Sequence, residues 1–497
     1  MSELPKGWVA TQIALIAKVE SGVGFPKKYQ GLDFVDIPVY KVGDISRSVQ
    51  NQEKSLVRSS NYVDEKTRIA MNAKIYPEGS TLFAKIGEAL KLNRRGFVGK
   101  EGIADNNVMG VIPDTQLISA KFIFYFLKTV DLSEFSRSST VPSIRKGDVE
   151  NLVLCLAPLA EQKRIVAKLD EVLAQVDTIK ARLDRIPAIL KRFRQSVLAA
   201  AVSGKLTEEW RGNVALVDSV TERYEKFRDK ILADANSAAQ KSKLVKIHEQ
   251  SESTEFPITI PDCWNLKNLS KVAFGFNYGS SAKSQAIGDV PVLRMGNIQN
   301  GKLDWGDLVY TSDLSEIEKY RLVKGDVLFN RTNSPELVGK TTIFHGEREA
   351  IYAGYLIKVQ GSELLSPEFL NIALNSAHAK NYCMRVKTDG VSQSNINAQK
   401  LGYFPCPLPL IEEQTEIVRL VDQYFVFADS IEAQVKKAQA RVDNLTQSIL
   451  AKAFSGELVA QDPNDEPADK LLERIAKART EAEQLAKAAK KAVKSQR

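Results

Sequence analysis

The stretch that decides the fold is Gln195-Ser196-Val197-Leu198-Ala199-Ala200-Ala201-Val202-Ser203-Gly204-Lys205-Leu206, which returns as Gln447-Ser448-Ile449-Leu450-Ala451-Lys452-Ala453-Phe454-Ser455-Gly456-Glu457-Leu458. These blocks close a longer repeat. Residues 161–206 align with 413–458 without a gap, at an offset of 252, and 17 of the 46 positions are identical. A repeat of this length fixes the architecture before any local assignment is made. The chain therefore contains two copies of one sequence unit.

The correspondence extends beyond the long repeats. Matching blocks are Leu4-Pro5 with Trp8 and Ile260-Pro261 with Trp264, Gly79 to Phe83 and Gly325 to Phe329, and 218–228 and 469–479. The offsets of these three pairs are 256, 246 and 251. Insertions therefore fall in the segments before each long repeat, while the long repeats keep their length.

Both long repeats have the pattern of a helix that packs on a partner. Apolar residues recur at alternating spacings of four and three, which is typical of a coiled-coil seam. The predicted seam residues are Ile165, Leu169, Val172, Val176, Ile179 and Leu183 in the first copy, and Ile417, Val421, Tyr424, Ile431, Val435 and Val442 in the second. Gly204 and Gly456 are expected to end the helices. Pro187 should bend the first one near Leu183, because its ring clashes with the preceding turn.

The remaining segments predict mixed α/β domains. Short apolar runs such as Val290 to Met295 and Asp326 to Phe329 resemble strands, whereas Lys121 to Thr129 and Pro367 to Ser376 resemble short helices. Asn236 to Thr254 is polar and is expected to be a linker. The expected division is a globular domain at 1–157, a long helix at 158–206, a helix and linker at 207–257, a second globular domain at 258–408, a second long helix at 409–458, and a helical tail at 459–497.

Composition limits the class of protein. The chain has 497 residues, which suggests about three domains. A net charge of +8 favours an anionic partner. The four cysteines are widely spread, with no pair at the spacing of a zinc site, and no apolar run is long enough to span a membrane. We therefore expect a cytoplasmic protein with no membrane association and no metal.

No catalytic constellation is visible in the sequence. Gly339-Lys340-Thr341 resembles part of a phosphate-binding loop, but the glycine required five residues before Gly339 is Ser334. The three histidines do not have the spacing of metal ligands. Neither the paired-carboxylate motif of nucleases nor the loop that holds a flipped adenine for methyl transfer is present. The sequence predicts a non-catalytic protein.

Three features of the sequence are shared with a known family: Leu4-Pro5-Lys6-Gly7-Trp8, Pro158-Leu159-Ala160-Glu161-Gln162 with its second copy Pro409 to Gln414, and the two Gln-Ser-[Val/Ile]-Leu blocks. In these features the sequence resembles the specificity (S) subunits of type I restriction–modification enzymes, in particular the type IA group. The resemblance implies two target-recognition domains, each reading half of a split site in double-stranded DNA, held apart by an antiparallel coiled coil with a pseudo-two-fold relation. It also implies two methyltransferase (M) subunits and two restriction (R) subunits as partners. S-adenosylmethionine, ATP and Mg²⁺ would be bound by those partners, with no cofactor on this chain.

The DNA-contacting residues are predicted from basic and polar runs that could bind phosphates and base edges. In the first half they are Lys85, Lys91, Asn93, Arg94, Arg95, Lys100, Ser139, Arg145 and Lys146, and in the second half Asn330, Arg331, Thr332, Asn333, Lys340, Gln393 and Asn395. Two other functions stay open at this point: a coiled-coil scaffold with no role on DNA, and a single-chain restriction enzyme.

Overall fold

The computed structural model describes residues 4–31, 36–136, 141–214, 218–252, 258–299, 301–391, 393–478 and 480–481. The chain divides into two units. Unit 1 contains residues 1–184 and 437–497, and unit 2 contains residues 185–436. Chain length alone suggests about three domains, but the long helices form no domain of their own, because each supplies residues to both units.

Unit 1 begins with a mixed α/β domain. Its elements are β1 Val9–Gln12, α1 Ile13–Ile16, β2 Ala17–Ser21, β3 Ile37–Tyr40, α2 Val42–Gln50, β4 Tyr62–Val63, α3 Glu65–Ala70, β5 Thr81–Ala84, α4 Glu88–Lys91, β6 Gly96–Phe97, β7 Ile103–Ala104, β8 Val108–Pro113, α5 Ala120–Thr129, α6 Lys146–Glu150 and β9 Val153–Leu156. A four-stranded antiparallel sheet has the order β2-β8-β5-β6, and a three-stranded sheet has the order β4-β3-β7. The opening strand β1 pairs with β9, so the domain closes on itself just before the long helix begins.

The long helix α7, Leu159–Val202, follows directly. It runs unbroken through Pro187, and the expected bend stays a prediction. Unit 2 then contains α8 Glu208–Asn213, α9 Val220–Ala233, α10 Ala238–Glu249, β10 Asn265–Asn268, β11 Phe274–Tyr278, β12 Val290–Leu293, β13 Ile298–Gln299, β14 Lys302–Leu303, β15 Val309–Thr311, α11 Leu314–Tyr320, β16 Val327–Asn330, β17 Thr332–Asn333, β18 Thr341–Ile343, β19 Ile351–Tyr352, β20 Leu356–Gln360, α12 Pro367–Asn375, α13 Ala377–Val386, β21 Thr388–Asp389, β22 Ser394–Asn395, α14 Ala398–Gly402 and β23 Pro405–Leu408.

Unit 2 repeats the plan of unit 1. Its opening strand β10 pairs with β23, its four-stranded sheet has the order β11-β20-β16-β18, and its three-stranded sheet has the order β15-β12-β19. A second three-stranded sheet, β17-β22-β21, is formed from very short strands. The second long helix, α15, spans Ile411–Phe454. The strands expected near residues 290 and 326 and the short helices expected at 121–129 and 367–376 are confirmed.

The long helices run antiparallel in each unit. In unit 1 Lys180 pairs with Asp443 at 2.7 Å and the side-chain amide of Gln439 donates to Asp184. In unit 2 Arg194 pairs with Asp429 at 2.6 Å. In each of these three pairs the two residue numbers add up to the same total. The same antiparallel register between the two helices therefore holds at all three pairs.

Burial along the seam is uneven. The side chains of Ile165, Leu169, Val176, Ile417, Val421 and Val435 are buried, those of Val172, Leu183, Ile431 and Val442 are half-buried, and those of Ile179 and Tyr424 are exposed. The globular cores cover the seam near the helix ends, where Ile165 and Leu169 join the core of unit 1. Where only the two helices pack together, each buries a narrow strip of the other's surface. The side chain of Ile179 is therefore 46% exposed, and the prediction that it is buried is wrong.

The segment expected to be a linker is helical in its middle part. Helix α10 lies within residues 236–254 and is capped by Ser237, whose hydroxyl accepts from the backbone N–H of Gln240. One face of α10 is half-buried, and the hydroxyl of Tyr224 and the ring nitrogen Nδ1 of His248 are 2.8 Å apart. Tertiary packing therefore overrides the polar composition of this segment.

Residues of the C-terminal tail complete the hydrophobic core of unit 1. Residues 468–478 form a helix, and Ala468, Leu471 and Ile475 are buried in the same core as Trp8. The backbone N–H of Ala468 donates to the carbonyl of Gly7. In unit 2 the equivalent helix is α9, with Val220 and Tyr224 in the core. None of the described helices is long and apolar enough to cross a membrane.

Candidate nucleic-acid interface

A tryptophan and a Glu-Gln pair fasten the domain of unit 1 to its long helix. The indole N–H of Trp8 donates to Glu161 Oε2 at 3.0 Å, and Glu161 is 1% exposed. The side-chain carbonyl of Gln162 accepts from the backbone N–H of Ser119, and its amide donates to the carbonyls of Leu117 and Ala157. Buried polar groups need such partners. The first turn of α7 is therefore tied to the globular domain at several points.

Unit 2 has the same joint with one difference. The indole N–H of Trp264 donates to Glu413 Oε2 at 2.8 Å, and Gln414 bonds Ser366, Leu364 and Pro409 in the same pattern. Here the second carboxylate oxygen also accepts from Thr207 and Arg211, at 2.7 and 2.6 Å. Its counterpart in unit 1, Glu161 Oε1, is buried and has no hydrogen-bond partner among the described residues.

The two polar runs of the first half meet in unit 1. The backbone N–H of Gly87 donates to the carbonyl of Pro142 at 2.8 Å, and the N–H of Ile144 donates to the carbonyl of Lys85 at 3.0 Å. Ile86 and Ser143 form an antiparallel bridge between these bonds. Residues 85–87 and 142–144 therefore form a short ribbon, which we call ribbon 1. The sequence placed its two halves about 55 residues apart, and the structure makes them neighbours.

Unit 2 has the equivalent ribbon. Strand β17 pairs with β22, with Thr332 opposite Asn395, and the N–H of Ile396 donates to the carbonyl of Arg331 at 2.8 Å. This bond matches the one between Ile144 and Lys85. Residues 331–333, 388–391 and 393–396 form ribbon 2, in which β21 adds a third strand. Both ribbons follow the last residues of a buried strand, β5 in unit 1 and β16 in unit 2.

A side-chain network holds the base of ribbon 2. The Arg331 guanidinium lies 4.6 Å from the ring centroid of Tyr278 and donates to the carbonyl of Gly354 and to Asn395 Oδ1, both at 3.3 Å. The side-chain amide of Asn395 donates to the hydroxyl of Thr332 at 2.8 Å. The side chain of Tyr278 is 43% exposed. The side chains of Arg331 and Asn395 are therefore half-buried and are held in place by their bond to each other.

The structure corrects one predicted DNA contact in the first half, that of Arg95. Arg95 is 3% exposed and donates to the carbonyls of Leu127 and Val130, at the end of helix α5. Burial lowers the pKa of Arg95 to about 10. Asn93 is occupied in the same cluster, since its side-chain carbonyl accepts from Arg95 at 2.6 Å. Arg95 and Asn93 hold a helix end, and the prediction that Arg95 contacts DNA is wrong in this structure.

The other predicted residues of the first half are more accessible. Lys91, Lys100, Arg145 and Lys146 are exposed, and Lys85 and Arg94 are half-buried. Lys91 is paired with Glu88, and Lys146 with Glu150. Ser139 lies outside the described residues. Lys85, Arg145 and Lys146 are brought together at ribbon 1, because Arg145 and Lys146 follow Ile144 directly.

In the second half one further correction is needed. Asn330 is completely buried, and its backbone bonds Lys340 and Gly339, so the prediction that it contacts DNA is wrong in this structure. Thr332, Asn333 and Lys340 are half-buried, and Gln393 is exposed. Thr332, Gln393 and Asn395 all lie on ribbon 2.

Comparison with known proteins identifies the family. The family model described as "Type I restriction modification DNA specificity domain" matches residues 5–188 and 264–439. The specificity subunit of the type I restriction enzyme EcoKI of Escherichia coli K12 is 31% identical over 92% of this chain and 91% of its own length. The corresponding StySPI subunit of Salmonella potsdam is 28% identical, with the same coverage. This chain belongs to the type I restriction–modification specificity family.

A solved structure supports the fold of this specificity subunit. It is titled as a study of complex assembly and conformational transition of the type I R-M system, and it covers 92% of this chain and 100% of its own chain with a TM-score of 0.60 at 18% identity. Specificity subunits of these systems are non-catalytic. No group of three His, Cys, Asp or Glu side chains arranged to hold a metal occurs in the part of the subunit that the structure describes.

Sequence reasoning missed two tyrosines beside ribbon 2. Tyr278 and Tyr355 are exposed, and the carbonyl of Tyr355 accepts from the N–H of Arg331. An aromatic residue at the end of a strand was the available signal for Tyr278.

Proposed function

We propose that this specificity subunit reads a bipartite site in double-stranded DNA, one half-site by each unit. The observation that carries the proposal is the pair of equivalent ribbons, each following a buried strand and each presenting polar or basic side chains. A two-stranded ribbon fits the major groove, where lysine, arginine and amide side chains distinguish base edges. The net charge of +8 supports contact with the phosphate backbone.

The subunit would act by directing partners to the site. Membership in a type I restriction–modification family implies methyltransferase and restriction subunits as partners. We infer two of each, with S-adenosylmethionine, ATP and Mg²⁺ bound by those partners. Work on genomic DNA would place the assembly in the cytoplasm. The joints at Trp8 and Trp264 would keep each ribbon fixed relative to its part of the helix pair.

The direct test is selection of a binding site from a randomised duplex library, using the subunit with its methyltransferase partner. We expect two short defined sequences separated by a gap of fixed length. Affinity should fall steeply with salt, as it does when phosphate contacts release counterions. A scaffold without a role on DNA would enrich no sequence and show no salt-dependent binding, and that result would refute the proposal.

A further inference from the structure

The hairpin at the end of ribbon 2 has an unusual tip. Strands β21 and β22 form a hairpin, and the N–H of Gly390 donates to the carbonyl of Gln393 at 2.8 Å. The described residues of its tip are Gly390, Val391 and Gln393. Asp389 accepts from the hydroxyl of Ser394 and forms an ion pair with Lys387, which fixes the base of the hairpin. The hairpin is therefore held at its base, and its strand β22 also pairs with β17.

Val391 at this tip is fully exposed, with a larger exposed fraction than any other large hydrophobic side chain in the described chain. A single exposed apolar residue is ordinary on a protein surface. Tight turns, however, favour Gly, Asn, Asp and Ser over a β-branched residue. Val391 has an exposed amide, Gln393, two residues away on the same tip. The tip thus offers one exposed apolar group and, two positions further along the chain, one exposed amide that can both donate and accept hydrogen bonds.

That combination matches the major-groove edge of an A·T pair. Adenine presents an acceptor and a donor that an amide can bond in bidentate fashion, and thymine presents a methyl group. The side chains at the base of the ribbon are already bonded to one another through Arg331 and Asn395, which leaves the tip to enter a groove. Neither Gly390 nor Asp389 offers a donor side chain that would favour guanine instead.

We propose that Val391 packs on the 5-methyl group of a thymine in the half-site read by unit 2, beside an adenine bound by Gln393. The inference rests on the proposed function, because it assigns a role within DNA reading. It adds an apolar contact that a search for basic and polar runs could not find.

The test uses the selected site, with each thymine replaced in turn by deoxyuridine, which lacks only the methyl group. One replacement in the unit 2 half-site should weaken binding of the wild-type subunit roughly fourfold, the value of one buried methyl group. Val391→Ala should weaken binding to the thymine duplex by a similar factor and become insensitive to that same replacement. Ile287→Ala is the matched control, since Ile287 is 85% exposed and lies in unit 2 outside ribbon 2.

The outcomes separate the two proposals. If the wild-type subunit selects a bipartite site but no thymine is coupled to Val391, or the half-site contains no thymine, the inference is overturned and the proposed function stands. If no bipartite site is selected, the proposed function fails and the inference fails with it. Because Val391 is fully exposed, its alanine variant should unfold at the wild-type temperature, and this is measured in parallel.

Discussion

Glu161 and Glu413 occupy equivalent positions but have different surroundings. Glu413 accepts from Trp264, Thr207 and Arg211, whereas Glu161 accepts from Trp8 through one oxygen only. Val459 and Pro463 stand where the repeat would place Thr207 and Arg211, so the second set of donors is lost. Burial raises the pKa of Glu161, more than the hydrogen bond from Trp8 lowers it.

We expect Glu413→Gln to destabilise the protein by roughly 1.5–3 kcal/mol, because it removes a charge-assisted bond to Arg211. Glu161→Gln should have a smaller effect at pH 7. A raised folded-state pKa means that the folded protein binds more protons, so wild-type stability contributed by Glu161 is lost as pH rises above about 4.5. The free energy of unfolding of Glu161→Gln, taken relative to that of the wild type, should therefore be higher at pH 7 than at pH 4. Thermal unfolding at both pH values measures this, and equal losses for the two variants would contradict it.

Arg94 and Arg95 are adjacent in sequence and should behave differently. Arg95→Ala leaves the carbonyls of Leu127 and Val130 without their donor and should lower the unfolding temperature of unit 1. Arg94→Ala should leave stability near wild type and weaken readout of the first half-site alone, by roughly 1–3 kcal/mol if Arg94 contacts a base. Site selection and thermal unfolding on both variants decide the matter. Loss of discrimination at both half-sites would rule out Arg94 as a reader for unit 1.

The ends of the long helices could be predicted from sequence because their chemistry is local. Gly204 and Gly456 follow α7 and α15, and both have positive φ, 74° and 80°. The structure adds a tertiary reason for the glycines. A Cβ on Gly204 would lie 2.5 Å from Pro261, and one on Gly456 would lie 2.5 Å from Pro5. The repeated Leu/Ile-Pro and Ser-Gly motifs are thus two halves of one contact, which no local pattern reveals.

Gly456→Ala should destabilise unit 1 by about 1–3 kcal/mol, since alanine at positive φ is strained and its methyl group meets a rigid proline ring. Gly147→Ala is the control. Gly147 lies in helix α6, and a Cβ there would have no neighbour within 4 Å. The control should be neutral or stabilise by up to about 1 kcal/mol. Chemical denaturation compares the two, and equal effects would show that the contact with Pro5 is unimportant.

At the scale of the whole molecule, the repeat and its helical period predicted two copies of one unit with two long helices. Short apolar runs predicted mixed α/β domains, and the family resemblance implied that the helices run antiparallel. They did not predict that unit 1 is assembled from both ends of the chain, with the helix at 468–478 packed in the core of Trp8. Such contacts join residues more than 450 positions apart, and periodicity carries no information about them. The ribbons were predicted only in part. The sequence identified each polar run but not the pairing of the runs, because that pairing is also a contact between distant residues.

The helix pair as a ruler between half-sites is the prediction that the repeat motivates most strongly. A seam accepts insertions of seven residues, which return each apolar side chain to the interface, whereas one or two residues rotate it away. The repeat alone would place matched insertions after Val176 and Ala428. The pairing of Lys180 with Asp443 and of Asp184 with Gln439 shows instead that residues near Thr446 face Val176. A heptad after Val176 and a second one after Thr446 should keep the register.

Each inserted heptad adds about 10 Å of helix, or about three base pairs of B-DNA. The doubly lengthened subunit should select the same two half-sites across a longer gap, because neither ribbon is altered. The singly lengthened variants are the controls, since one helix longer than its partner breaks ion pairs such as Lys180 with Asp443 and should lower stability. Selection from a library with randomised gap length measures the result. Full binding at the original gap would show that the helix pair does not set the distance.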